Sequence, residues 1–134
     1  MNRRLFADTS GLYAVAAAEN QRHAPAVRLL ETASSLVTTR FIVLETVSLI
    51  TKRRSARDAK DWYERFLASP SVSLREPEPK LLRLAEEFWR KHEDKDWDLI
   101  DCYSFIVMRH ERLTSVLTFD RHFRQAGFRI IEEE

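Results

Sequence analysis

The chain is poor in the residues that mark several large protein classes. It has one cysteine, Cys102, and a single thiol can build neither an internal disulfide nor a cysteine-based zinc site, so an intracellular protein is expected. Two glycines and four prolines in 134 residues exclude collagen-like and low-complexity chains. No apolar run approaches the roughly 20 residues of a membrane helix. Arg3-Arg4 leads straight into a short strand-like segment, so no secretory leader is expected. These absences point to a soluble, cytoplasmic protein with no membrane association. An excess of one charge is missing too, since 22 Lys and Arg face 21 Asp and Glu for a net +1. That balance argues against a strongly basic nucleic-acid binder unless the acids are gathered in one place.

What is present is the composition of a folded domain: 44% hydrophobic, 10% aromatic and 32% charged residues. A chain of this length buries roughly two-thirds of its unfolded surface without metal or disulfide support. One domain spanning residues 1–134 is expected, with any metal serving chemistry rather than folding.

The order of elements follows from periodicity and punctuation. A strand over 5–7 ends near Asp8, and Asp8-Thr9-Ser10-Gly11 makes a turn into helices over 12–18 and 23–33. A second strand covers 36–39, and helices follow over 40–54 and from Ser55 to Ser69-Pro70, where the residue before proline is pushed out of the helical region. A third strand covers 72–74. Pro77 and Pro79 open an amphipathic helix reaching His92. After the polar loop 93–96, Asp98 is placed to cap a helix over 100–110. A fourth strand covers 116–118, a short helix or turn 121–125, and a fifth strand 128–131 after Gly127. Strands alternating with helices predict an α/β sandwich with a central, largely parallel five-stranded sheet.

In such a sheet, ligands bind beyond the carboxyl ends of the strands, where the strand order reverses. Asp8 and Asp120 follow predicted strand ends. Glu45 lies in an apolar helix, where a charge needs exposure or a partner. Asp101 sits in a first helical turn, where the dipole favours an anion. Each also has a plain structural reading as a turn, cap or solvent-facing residue, and it is their joint placement that points to chemistry. Two carboxylates about 5 Å apart repel by roughly 3 kcal/mol at an effective dielectric of 20, so four together call for a cation. All-oxygen donors suit Mg²⁺ or Mn²⁺, and such an ion serves phosphoryl transfer or hydrolysis. With those four of the 21 acids set aside, 17 acids face 22 bases over the remaining surface, which leaves it basic.

These residues carry a resemblance. Leu5-Phe6-Ala7-Asp8-Thr9-Ser10, Glu45 in the helix after Thr38-Thr39, the block Asp98-Leu99-Ile100-Asp101-Cys102-Tyr103-Ser104-Phe105 with Val107-Met108, and Leu117-Thr118-Phe119-Asp120-Arg121-His122-Phe123 followed by Gln125-Ala126-Gly127-Phe128 resemble a PIN-domain ribonuclease of the VapC kind, the toxin of a VapBC toxin–antitoxin pair. The resemblance covers nearly the whole chain. It implies a PIN-like three-layer sandwich, with Asp8, Glu45, Asp101 and Asp120 around one or two Mg²⁺ or Mn²⁺ ions. It also implies cleavage of single-stranded RNA by metal-activated water, a homodimer, and a small antitoxin that blocks the site. Thr9, Ser10 and Thr118 match polar positions expected to hydrogen-bond the carboxylates. Asp98 departs from the small hydroxyl residue expected there; a plain helix cap is preferred, with an extra acid at the metal as the alternative.

Other residues keep two readings. Lys52-Arg53-Arg54 with Arg57 can track an RNA backbone, although a basic run at a helix end is more often a solvated face. His122 can assist phosphate or proton transfer, but a structural or exposed role is the simpler expectation. Cys102 is expected to pack as a small apolar group. Trp62 and Trp89 are expected in the core or at a dimer contact, and Trp97 stays open between packing and base stacking. A phosphoacceptor receiver domain would need an acidic pair after the first strand, and a dehalogenase-type phosphatase a second Asp where Ser10 stands. The remaining rival to a nuclease is a catalytically inactive PIN-like module that binds RNA or protein.

Overall fold

A computed structural model describes residues 3–132 of the chain. Five strands, β1 (Arg4–Ala7), β2 (Ser35–Thr39), β3 (Val72–Arg75), β4 (Ser115–Leu117) and β5 (Arg129–Ile130), form one sheet in the order β3-β2-β1-β4-β5. Every pairing is parallel. The chain builds outward from β1 to β3 and then returns to the other side of β1, so the order reverses between β1 and β4. Leu5, Phe6 and Ala7 are all fully buried, as befits a central parallel strand covered on both faces.

The described residues contain seven helices: α1 (Thr9–Ala16), α2 (His23–Leu30), α3 (Arg40–Arg53), α4 (Ala56–Ala68), α5 (Pro79–Lys91), α6 (Leu99–His110) and α7 (His122–Gln125). Together with the sheet they make the expected PIN-like three-layer sandwich. None is long and apolar enough to cross a membrane.

Two boundaries bear on function. The turn expected over residues 8–11 is absent, because Asp8 itself caps α1 by accepting the Gly11 N–H and the helix starts at Thr9. Strand β1 therefore feeds directly into α1. A Cβ on Gly11 would lie 2.2 Å from the Leu117 carbonyl oxygen, so only glycine lets α1 begin this close to β4. Asp98 accepts the Asp101 N–H at 2.7 Å, and Asp101 accepts the Asp98 N–H in return, a reciprocal box that starts α6 one residue earlier than expected.

Aromatic packing joins α5, α6 and α7. Phe105 is fully buried and meets Phe123 edge-on at 5.0 Å and Trp97 at 5.2 Å, while Trp97 stacks on Phe88 at 5.6 Å. Trp97 is thus a core residue, its indole N–H donated to Gln125, and the base-stacking reading ends there. Trp62 is half-buried and stacked on Phe66. Trp89 departs from the core reading at 43% exposure, although its indole N–H reaches the Trp97 carbonyl. Cys102 is fully buried, and burial pushes its thiol up to about 11, which makes it inert. At the far end of α6, Glu111 accepts from Arg75 at 2.6 Å and Arg4 at 2.8 Å, tying β3 and β1 to the helix.

Candidate metal and phosphate site

The carboxylates meet at the switch point. Asp8 ends β1, Asp120 lies just past β4, Asp101 is in the first turn of α6, and Glu45 projects from α3. All four line one cleft of about 340 Å³.

Asp8 is the most constrained of them. It is 7% exposed, and its Oδ1 accepts the Gly11 N–H at 3.0 Å and the Ser10 hydroxyl at 2.9 Å. Its Oδ2 accepts the Thr118 hydroxyl at 2.7 Å. Ser10 and Thr118 lie 3.2 Å apart, but each commits its one proton to Asp8. Each then accepts a backbone N–H from the β4 end, Ser10 from Phe119 at 2.9 Å and Thr118 from Asp120 at 3.0 Å. The two hydroxyls therefore lock Asp8 to the loop that carries Asp120. Burial pushes the Asp8 carboxyl from 3.8 up to about 6, against the downward pull of Thr118, the Gly11 N–H and Ser10, with a further rise from the Asp120 charge. Thr9 donates its hydroxyl to Glu45, which fixes that carboxylate on the cleft side of α3.

The second cluster joins α6 and α7. Asp101 is pushed up to about 6, first by burial and then by the neighbouring Asp98 charge, while His122 pulls it down. The His122 ring Nδ1 lies 3.0 Å from Asp101 Oδ2 and 3.3 Å from Asp120 Oδ1. Asp120 also accepts the His122 N–H at 2.9 Å, a local turn typical of aspartate. One ligand atom from each of Asp101, Asp120 and His122 falls within a 4.8 Å group. His122 is thus half-buried between the two carboxylates, a structural position at the edge of the cluster.

The donor set fits a hard divalent cation. Asp8 keeps one acceptor position on Oδ2 after its three hydrogen bonds and lines the same cleft as Asp101 and Asp120, although the tight group of possible ligand atoms comprises Asp101, Asp120 and His122. A cation would favour the charged forms of Asp8 and Asp101, which burial first and neighbouring carboxylates second disfavour. Oxygen donors of this kind favour Mg²⁺ or Mn²⁺ over zinc or copper. Asp98 lines the cleft, but its Oδ1 is engaged in the α6 cap, in keeping with the preferred reading.

Only part of the basic run lies at the cleft. Arg54 is paired with Glu19 and Asp58, Lys52 and Arg57 are exposed, and only Arg53 lines the cleft. Arg22, with no motif around it to mark it, lines it as well.

Known proteins agree with this architecture. The PIN domain family matches residues 5–129. The chain belongs to that family. It is 29% identical over 124 residues to the 23S rRNA-specific endonuclease VapC20 of Mycobacterium tuberculosis, covering 92% of this chain and 95% of that protein. The crystal structure of the same mycobacterial protein, described as a sarcin–ricin loop cleaving toxin, superposes with a TM-score of 0.91 at 28% identity, over 96% of this chain and 99% of that one. FitAcB from Neisseria gonorrhoeae shares the fold, with a TM-score of 0.65 at 16% identity over 96% of each chain.

Proposed function

We propose that this PIN domain is a Mg²⁺- or Mn²⁺-dependent endoribonuclease, the toxin of a toxin–antitoxin pair, that hydrolyses RNA phosphodiester bonds in the cleft beyond β1 and β4. The observation that carries this reading is the convergence of Asp8, Glu45, Asp101 and Asp120 on one cleft, with Asp8 strapped to the Asp120 loop by Ser10 and Thr118. The likeness to VapC20 along almost the whole chain supports the substrate class. A structured ribosomal RNA loop, of the kind that relative cleaves, belongs in the substrate panel beside plain single strands.

Asp8, Asp101 and Asp120 would hold one or two divalent ions, with Glu45 completing the donor set. When bound, the ion supplies Lewis-acid stabilisation of charge on the phosphate and lowers the pKa of water. Ser10 and Thr118 keep both Asp8 oxygens in place, so their lone pairs are aimed before substrate arrives. Thr9 does the same for Glu45. The His122 ring nitrogen, 3.0 Å from Asp101 Oδ2, would steady the α6 carboxylate against Asp120. The partners that follow are an RNA substrate, a second copy of the chain, and a small antitoxin whose basic group would enter the acidic cleft.

The test is cleavage of labelled single-stranded RNAs and a sarcin–ricin loop hairpin with Mg²⁺, Mn²⁺ or EDTA. Metal-dependent cleavage is expected from the wild type and not from Asp8→Asn. Binding of RNA with no cleavage under any metal would instead favour the inactive-module reading.

A further inference from the structure

Two arginines in the cleft have no carboxylate partner among the described residues, and each is held instead by an aromatic ring. The Arg22 guanidinium lies 4.9 Å from the centre of the Phe119 ring, and that of Arg53 lies 5.0 Å from the centre of the Tyr13 ring. Most other arginines with a described side-chain contact are paired with acids: Arg4 and Arg75 with Glu111, Arg40 with Glu76, Arg54 with Glu19. Arg109 also lies over a ring, that of Phe88 at 4.8 Å, but it does not line the cleft; Arg22 and Arg53 combine a ring contact with a place at the carboxylates' cleft. A guanidinium set over a ring keeps its full charge and its edge N–H donors, and loses little freedom when those donors meet an anion.

Their positions bracket the carboxylates. Phe119 is the residue before Asp120, just past β4, so Arg22 stands on the β4 side of Asp8. Arg53 comes from the end of α3, the helix that follows β2 on the other side of β1. Glu45, Leu49 and Arg53 line the cleft from one face of α3 at intervals of four residues. Eight residues of helix put the Arg53 backbone about 12 Å along the axis from Glu45, a span that leaves room for the next phosphate of a strand beside the one at the carboxylates. The backbone of Arg22 is fixed as well, its N–H donated to Asn20 Oδ1 at 2.9 Å.

We infer that Arg22 and Arg53 form a clamp for the RNA phosphates on either side of the one being cleaved, each guanidinium pre-oriented by its ring. The inference rests on the ribonuclease reading and adds the groups that position the strand. Phosphate binding by an oriented fork explains why the acidic centre, which would repel RNA, can still receive it. It also separates Arg53 from the rest of the basic run, which the cleft does not use. Both are positioning residues, since neither reaches the carboxylate group.

The test uses a fluorescein-labelled RNA that the wild type cleaves, with binding measured by anisotropy in the Asp8→Asn protein and cleavage measured in the active protein. Arg22→Gln and Arg53→Gln should each weaken binding roughly tenfold at low salt, the scale of a lost charge-assisted hydrogen bond. Each should also make the slope of log affinity against log salt shallower by about 0.7, the counterion contribution of one single-strand phosphate contact. In the active protein the loss should fall on KM and leave kcat within about twofold. Arg22→Lys and Arg53→Lys should recover the salt slope but only part of the affinity, because the charge is kept and the stacked fork is not. Arg83→Gln, at an exposed position of α5, removes the same charge elsewhere and should change neither. Unchanged affinity and salt slope in the Gln variants, with the wild type cleaving normally, would overturn the clamp, as would a loss confined to kcat. No cleavage by the wild type on any RNA would instead remove the ribonuclease reading on which it stands.

Discussion

Replacing Asp8 by Asn should stabilise the metal-free protein while abolishing its activity. The folded Asp8 carboxyl sits at about 6 against an ordinary 3.8, mainly because burial disfavours its charge. At about 1.4 kcal/mol per tenfold change in proton affinity, the charged side chain costs the folded state about 3 kcal/mol at neutral pH. The sign follows from which state releases its proton first. Below pH 3.8 both states are protonated and there is no cost. Between 3.8 and about 6 the unfolded chain ionises while the folded one does not, so stability falls as pH rises; above 6 the full cost persists. An asparagine escapes that cost. Its amide nitrogen, however, replaces an oxygen that accepts a hydroxyl proton from Ser10 or Thr118, a misfit of about 1 kcal/mol. The variant should therefore be more stable than the wild type by about 2 kcal/mol at pH 7.5 and nearly equal to it at pH 4.5. Urea unfolding in EDTA at both pH values measures this, and taking the difference between the proteins cancels every other titrating group. Adding Mn²⁺ at pH 7.5 should then raise the wild type, by about 2.7 kcal/mol at a hundredfold excess over its dissociation constant, and leave the variant almost unmoved. A difference that does not change with pH, or a variant weaker than the wild type at pH 7.5 in EDTA, would refute the reasoning.

Two further predictions concern the scaffold. Gly11→Ala would put a methyl 2.2 Å from the Leu117 carbonyl oxygen, so α1 must move off β4; a loss of about 3 kcal/mol in urea unfolding is expected, with activity falling because Asp8 moves with the helix. Glu111→Gln leaves Arg75 and Arg4 without their shared carboxylate and should cost about 1–2 kcal/mol at pH 7. Arg75 holds the Glu111 carboxyl below its ordinary 4.5, so the difference from wild type should be full above that pH and vanish as pH falls through the lowered value, which thermal unfolding across pH 3–7 can follow.

The fold was largely legible because strand ends and helix starts carry strong local signals. Alternating elements, Pro77 before α5 and Pro79 at its first position, and Asp98 before α6 each have a mechanism that operates within a few residues. The carboxylate site was legible for the same reason: acids just past β1 and β4 must lie together once β1 and β4 are neighbours. Less visible was what depends on tertiary reach. Nothing near His122 in the chain announces that its ring meets Asp101, 21 residues away. Trp97 reads as a loop residue until α5 and α6 close over it. The basic run looked continuous because charge in sequence carries no direction; on α3, Lys52 and Arg53 point about 100° apart and Arg54 leaves the helix as its C-cap, so Arg53 faces the cleft while its neighbours meet water or acids. Arg22 lies in a stretch with no pattern at all, and its place at the site depends on Phe119, which comes 97 residues later.

The most direct test of the central claim is the rate at which the wild type and Asp101→Asn cleave the same RNA as Mn²⁺ is raised from zero in metal-stripped buffer. The account predicts no cleavage without metal, a saturable rise for the wild type, and a rate at least a hundredfold lower for Asp101→Asn at every Mn²⁺ concentration. Cleavage that persists in EDTA, or an Asp101→Asn protein as fast as the wild type, would contradict it.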